Sequence, residues 1–208
     1  MRKKRFKKIK AVLFDLGKVI LHFDFAPAFR RLSKKTGLEP DEIGDFFKRS
    51  GLEVLYDGGK ISSRQFHSRV KKGLGHDLDF DEFRAIWNRI FRPNREVVSL
   101  IRELKPRTRL VLVSNTNPMH FDYILKHYPV MGTFDKHVLS YKEKIRKPDE
   151  RIYRTAMQAC QARASEIFYI DDREDLTEAA RHLGFNIFTY QNNPNDLLQR
   201  IKQLEILP

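Results

Sequence analysis

Short apolar runs recur along this chain, and each is followed by apolar residues at helical spacing. The runs at 10–15, 109–114, 136–140, 167–170 and 186–190 predict five strands. Leu110-Val111-Leu112-Val113 and Ile167-Phe168-Tyr169-Ile170 show no polar alternation, so both faces of these strands are expected to be covered, as in a parallel sheet. The regular succession of strand and helix predicts an α/β fold, a Rossmann-like doubly wound parallel sheet.

The first and second strands are separated by more than eighty residues of mostly helical pattern, far too many for one crossover. An inserted helical module is therefore expected at 23–91, with the core formed by 1–22 and 92–208. Inside it, Ser62 with Gln65 and Asp79 with Glu82 have capping-box spacing, and the second pair precedes Phe80, Phe83, Trp87 and Ile90 at helical spacing. Tyr56-Asp57-Gly58-Gly59-Lys60 predicts a turn, and Val97, Ile101 and Leu104 mark the helix leading to the second strand.

At 208 residues the chain accommodates one α/β domain with a smaller module. Its single cysteine, Cys160, excludes an internal disulfide and a thiolate zinc cluster, and suits a reducing compartment; the cytoplasm is the expected location. A basic run, Arg2-Lys3-Lys4-Arg5 with Lys7-Lys8, precedes an apolar stretch that stops at Asp15 with no small-residue cleavage site, so neither a signal peptide nor a membrane span is expected. The formal charge of +13 attracts anions of any kind. Lysine and arginine are nevertheless spread along the chain, without Gly/Arg repeats, zinc-finger spacing or the aromatic signature of an RNA-binding strand. That spread favours a solvated basic surface over a nucleic-acid site.

The candidate chemistry lies at strand ends. Asp15 closes the first strand, where a carboxylate serves as nucleophile or metal ligand, or as a plain turn residue; the position by itself leaves both open. The second strand runs into Ser114-Asn115-Thr116-Asn117-Pro118, whose hydroxyl and backbone N–H groups before a helix suit a phosphate oxygen or an N-cap. Lys147-Pro148 is expected to open a helix with Ile152, Tyr153 and Ala156 on its apolar face, an unfavourable place for a cation unless an anion is near. Asp171-Asp172 ends the fourth strand, and adjacent carboxylates there call for a compensating cation, with magnesium the natural candidate.

The ordered set Phe14-Asp15-Leu16-Gly17-Lys18-Val19-Ile20, Val113-Ser114-Asn115, Lys147-Pro148 with Ile152-Tyr153, and Tyr169-Ile170-Asp171-Asp172 with Glu178-Ala179-Ala180 resembles the motifs of the haloacid dehalogenase-like hydrolase superfamily. The insertion is similar to that family's helical C1 cap. Tyr56-Asp57-x-Gly59-x-Ile61-Ser62 with Phe66 is similar to a cap segment of bacterial sugar-phosphate phosphatases, nearest the α-D-glucose-1-phosphate phosphatase-like subgroup. The resemblance implies a magnesium-dependent phosphatase of small phosphorylated metabolites, acting through an aspartyl-phosphate intermediate. It implies Asp15 as nucleophile, Ser114 and Asn115 as phosphate ligands, and Lys147 as the group that orients and neutralises Asp15 and the phosphoryl group. Asp15, Asp172 and the Gly17 carbonyl would hold Mg2+, with Asp171 in support. Substrate selection would fall to the cap edge, where His22, Asp24, Tyr56 and Asp57 are candidates.

Two positions depart from the family pattern. Gly17 stands where phosphatases commonly carry an aspartate general acid/base, although the glucose-1-phosphate subgroup also has glycine there. Leu176 stands where a further aspartate or asparagine is usual near the metal. These departures keep two alternatives in view: a metal-independent 2-haloacid dehalogenase, in which the aspartate attacks carbon, and a catalytically weakened protein that binds an anionic partner.

Overall fold

The computed structural model describes residues 8–208; the basic run at 2–7 lies outside them. From the N-terminal side, β1 (Ala11–Phe14) and a short β2 (Leu21–Phe23) precede five helices, α1 (Ala26–Thr36), α2 (Pro40–Ser50), α3 (Leu52–Asp57), α4 (Ser63–Leu74) and α5 (Phe80–Asn88), and then β3 (Phe91–Pro93). Strands and helices alternate thereafter: α6 (Arg95–Leu104), β4 (Arg109–Ser114), α7 (Pro118–His127), β5 (Lys136–Leu139), α8 (Ser140–Glu143), α9 (Glu150–Cys160), β6 (Ile167–Asp171), α10 (Glu174–His182), β7 (Asn186–Thr189) and α11 (Pro194–Gln203).

The five expected strands form one parallel sheet in the order β5-β4-β1-β6-β7. Alternate residues serve opposite faces. Val12, Phe14, Leu112, Phe168 and Ile170 pack with α6, α7 and α11, while Leu13, Val111, Val113 and Tyr169 pack with α9 and Ala180 of α10. Burial on both faces is what the continuous apolar runs required, at roughly 1.5–3 kcal/mol for each large side chain removed from water. The sheet switches direction at β1, which has β4 on one side and β6 on the other. A crevice opens outside the carboxyl ends of such strands, and Asp15, Ser114 and Asp171 stand at those three ends.

Helices α1 to α5 enclose a second apolar cluster around Trp87, Phe47, Phe66 and Phe83. Trp87 is fully buried, with ring centroids of Phe47 and Phe25 at 4.7 and 4.9 Å. Met119 of α7 belongs to the same cluster, so the insert is seated on the core through α7. Its entry and exit are joined by an antiparallel pair, β2 with β3, in the register Leu21↔Pro93, His22↔Arg92 and Phe23↔Phe91. Three residues per strand are too few for a period to register in sequence, and this ribbon was not foreseen.

Three local details also differ from the sequence reading. Ser62 and Gln65 form the reciprocal capping box, but Asp79 accepts from Asp81 and Glu82 backbone N–H groups without a return bond, because Glu82 pairs with Lys35 of α1 at 2.6 Å. Ser140 opens α8 instead of ending β5. Pro148 does not start a helix: Asp149 caps α9, which begins at Glu150, and Lys147 lies in the preceding turn. In the Gly58-Gly59 turn, Gly59 has φ +64°, and a Cβ there would run into the Tyr141 backbone of α8. Only glycine lets the insert approach the core so closely. No helix among the described residues is long and apolar enough to cross a membrane.

Candidate active site

The site is organised by a buried lysine. Lys147 Nζ donates to Asp15 Oδ1 at 2.5 Å, to Asp171 Oδ2 at 2.6 Å and to the Val113 carbonyl at 3.3 Å, with Lys147 only 4% exposed. Burial alone would lower its pKa, but the adjacent carboxylates Asp15 and Asp171 outweigh that penalty and hold it above the ordinary lysine value. The lysine therefore stays charged. Asn115 fixes the turn that presents it: Asn115 Nδ2 donates to the Lys147 carbonyl at 3.0 Å, and Lys147 N–H donates to Asn115 Oδ1 at 2.9 Å.

Asp171 is held from several sides, by Lys147, by the Tyr169 hydroxyl, which donates to Oδ2, and by the Arg173 backbone N–H at 3.0 Å. Asp172 is half-buried and meets Lys18 only at 3.9 Å, from the solvent side. Oxygens of Asp15, Asp171 and Asp172 all lie within 4.8 Å of one another. Burial raises the Asp15 pKa, with Asp171 adding to the effect and Lys147 opposing it; burial and Asp171 likewise raise Asp172. One buried ammonium cannot balance three carboxylates, so the cluster carries uncompensated negative charge. An all-oxygen, anionic donor set of this kind fits a hard divalent cation such as magnesium. Asp175 and Leu176 do not join the cluster: Asp175 is exposed and paired with Arg173, and Leu176 is buried with its carbonyl accepting from Tyr153.

A cavity of about 140 Å³ opens beside this cluster, lined at its floor by Gly17, Ser114 and Asn115. Its remaining walls come largely from the insert and the ribbon, with Phe23, Phe25, Trp87 and Phe91 on the apolar side and Glu53, Asp57 and His120 on the polar side. Ser114 is 3% exposed, and its hydroxyl has no hydrogen-bond partner among the described residues. At the start of α7, Asn117 accepts from the His120 backbone N–H and donates from Nδ2 to Asp57 Oδ1 at 3.0 Å. His120 Nε2 faces the Trp87 carbonyl at 3.2 Å and Nδ1 faces Asn117 Nδ2 at 3.2 Å, which requires the proton on Nε2. Burial lowers the His120 pKa to about 4, so the ring is neutral.

The profile of the haloacid dehalogenase-like hydrolases matches residues 9–184. The chain belongs to this family. It is similar to D-ribitol-5-phosphate phosphatase of Bacteroides thetaiotaomicron, with 25% identity over 191 residues covering 88% of this chain and 93% of the relative. It is also similar to (S)-2-haloacid dehalogenase of Pseudomonas sp. (strain YL), with 34% identity over 189 residues covering 85% of this chain and 80% of the relative. Among solved structures, a HAD family enzyme of Bacteroides thetaiotaomicron in complex with magnesium and inorganic phosphate superposes with a TM-score of 0.81 at 26% identity, covering 89% of this chain and 96% of that one.

For this haloacid dehalogenase-like hydrolase, the fold brings Asp15, Gly17, Ser114, Asn115, Lys147, Asp171 and Asp172 to one crevice. The four substrate candidates diverge. Asp57 borders the cavity; His22 borders a shallow depression shared with Lys18 and Asp172; Asp24 accepts from Ala26 N–H in a local turn; and Tyr56 is buried, its hydroxyl between Ser63 Oγ at 2.6 Å and Met119 N–H at 3.2 Å. Sequence reasoning passed over Tyr169, Glu53, His120 and the aromatic wall. A signal existed for the first two: Tyr169 and Asp171 are two apart on a strand, and Glu53 and Asp57 are four apart on a helix, so each pair shares a face. Nothing local pointed to His120.

Proposed function

We propose that this hydrolase is a magnesium-dependent phosphatase of small phosphorylated metabolites, with sugar and polyol phosphates favoured. The observation that carries the reading is the crowding of Asp15, Asp171 and Asp172 around a single buried lysine, an arrangement short of positive charge that a divalent cation would supply, and to which the cation and the lysine together would draw a phosphoryl group. The similarity to a ribitol-5-phosphate phosphatase and to an enzyme crystallised with magnesium and phosphate supports it. The helical insert, at 23–91, acts in this reading as the cap that contacts the rest of the substrate.

Asp15 is the nucleophile: its carboxylate oxygen bonds to phosphorus as the bond to the alcohol oxygen breaks, giving an aspartyl phosphate that water then hydrolyses. Lys147 holds Asp15 in line and offsets charge on the transferring group, and the free Ser114 hydroxyl donates to a phosphoryl oxygen. Asn115 contributes by fixing Lys147 through its backbone. Asp15, Asp172 and the Gly17 carbonyl would hold the magnesium ion, with Asp171 in support, and its charge would stabilise the phosphoryl oxygens.

Phosphate release from sugar, polyol and aryl phosphates, with and without magnesium and with Asp15→Asn, tests this reading. Release should need the metal and vanish in the variant; failure to release phosphate from a broad panel sinks it. The 34% identity to a haloacid dehalogenase supports a second reading, attack of Asp15 on carbon. Halide release from a 2-haloacid that survives chelation would establish that chemistry in place of the first.

A further inference from the structure

The phosphatase reading leaves one requirement unmet: the departing alcohol oxygen needs a proton, and Gly17, two residues after Asp15, has no side chain to give one. Three titratable side chains line the cavity above Ser114 and Gly17: Glu53, Asp57 and His120. His120 is unsuited, since both ring nitrogens are engaged, with Trp87 and Asn117. Asp57 is held by Asn117 Nδ2 at 3.0 Å, and its own carbonyl by Ser140 Oγ at 2.5 Å. Glu53 is different. It is half-buried on α3, borders the cavity, and its carboxyl group makes no hydrogen bond among the described residues.

We propose that Glu53 is the general acid of this enzyme, donating from the helical insert the proton that Gly17 cannot supply. The proposal rests on the phosphatase reading and extends it to a residue with no counterpart among the strand-end motifs. As Asp15 bonds to phosphorus, the electron pair of the breaking P–O bond passes to the alcohol oxygen, which takes the proton of Glu53. In the second step water attacks the aspartyl phosphate and the P–O bond to Asp15 breaks; one water proton stays on the released phosphate, the other passes to solvent, and Glu53 regains its proton from solvent.

The surroundings keep Glu53 protonated near neutrality. Burial is the main cause, Asp57 one helical turn away adds like-charge repulsion, and Arg146 partly opposes both, leaving the Glu53 pKa at about 7. Asp57 is itself raised by burial, against the lowering effect of the Asn117 hydrogen bond. A general acid on the insert also couples chemistry to docking of the insert on the core, because the proton donor and the nucleophile lie on different parts of the fold.

The test compares leaving groups. With magnesium present, wild type, Glu53→Gln and Asp15→Asn are assayed on a polyol phosphate, whose alkoxide needs a proton, and on 4-nitrophenyl phosphate, whose phenolate departs without one. Glu53→Gln should lower kcat on the polyol phosphate about 100-fold, leave 4-nitrophenyl phosphate within about threefold, and remove the fall in polyol-phosphate turnover above neutral pH. In Glu53→Gln, unchanged activity on both substrates or equal loss on both overturns the role of Glu53 while leaving the phosphatase reading intact, as does a wild-type enzyme that hydrolyses the aryl ester but not the polyol phosphate. No Asp15-dependent release from either substrate overturns the phosphatase reading and Glu53 with it.

Discussion

Phe23 occupies the space that a side chain on Gly17 would enter: a Cβ there would stand 3.0 Å from Phe23 Cε1 and 3.9 Å from Asp15 Oδ2. The ring, 38% exposed at the end of β2, has edge contacts with Phe25 and Phe91. A side chain at Gly17 would therefore press on the edge of this ring, which would have to give by a few tenths of an ångström. Gly17→Asp should lower stability by about 1–3 kcal/mol through overpacking, with a fourth carboxylate adding repulsion. Phe23→Ala in the same chain should relieve part of that cost. A double-mutant cycle by urea unfolding checks it, and a coupling below about 0.5 kcal/mol would show the two sites to be independent.

Lys147→Met keeps the apolar stem and removes the charge. It leaves Asp15 and Asp171 buried without their shared cation, for which a loss of about 3–5 kcal/mol is expected. The deficit should shrink as pH is lowered and Asp15, whose pKa burial already raises to about 7, takes up a proton. Unfolding curves at neutral and mildly acidic pH measure this; a change under about 1 kcal/mol at neutral pH would mean that the lysine is not what balances the cluster.

Magnesium should stabilise the folded chain independently of any substrate. A cation bound only by the folded state adds about 2.7 kcal/mol when its concentration is 100 times Kd. Asp172→Asn should remove most of that effect, and excess EDTA should return wild type to its metal-free melting temperature. Thermal melts with and without the ion decide the matter, and equal shifts in wild type and Asp172→Asn would place the ion elsewhere.

His120 should make stability depend on pH. Its pKa is about 4 in the folded chain against an ordinary 6.5, so the unfolded chain binds more protons between these values. The contribution is complete above pH 6.5 and is lost as pH falls through 4, amounting to about 3 kcal/mol across the window. Raised carboxylates such as Asp15 and Glu53 act in the opposite sense, so the useful quantity is the difference between wild type and His120→Gln. That difference should favour wild type more at pH 7 than at pH 4.5; a flat difference refutes the assignment.

Much of the architecture is written in local pattern. The continuous apolar runs determined five strands with two covered faces, and the long helical stretch after the first strand announced an insertion. Asp15, Ser114, Lys147 and Asp171-Asp172 could be singled out because each ends a strand or stands beside a helix start, where chemistry is concentrated for reasons of backbone geometry. These signals span only a few residues, and periodicity carries them faithfully. The ribbon of β2 and β3, the caging of Lys147, and the joining of Glu53, Asp57 and His120 in one cavity depend on residues distant in sequence, such as Lys147 with Asp15 and His120 with Trp87. No period along the chain encodes such contacts. They arise only when distant segments pack together and exclude water; that burial keeps His120 neutral and lets Glu53 hold its proton near neutral pH, while the carboxylates of Asp15 and Asp171 keep Lys147 charged against it.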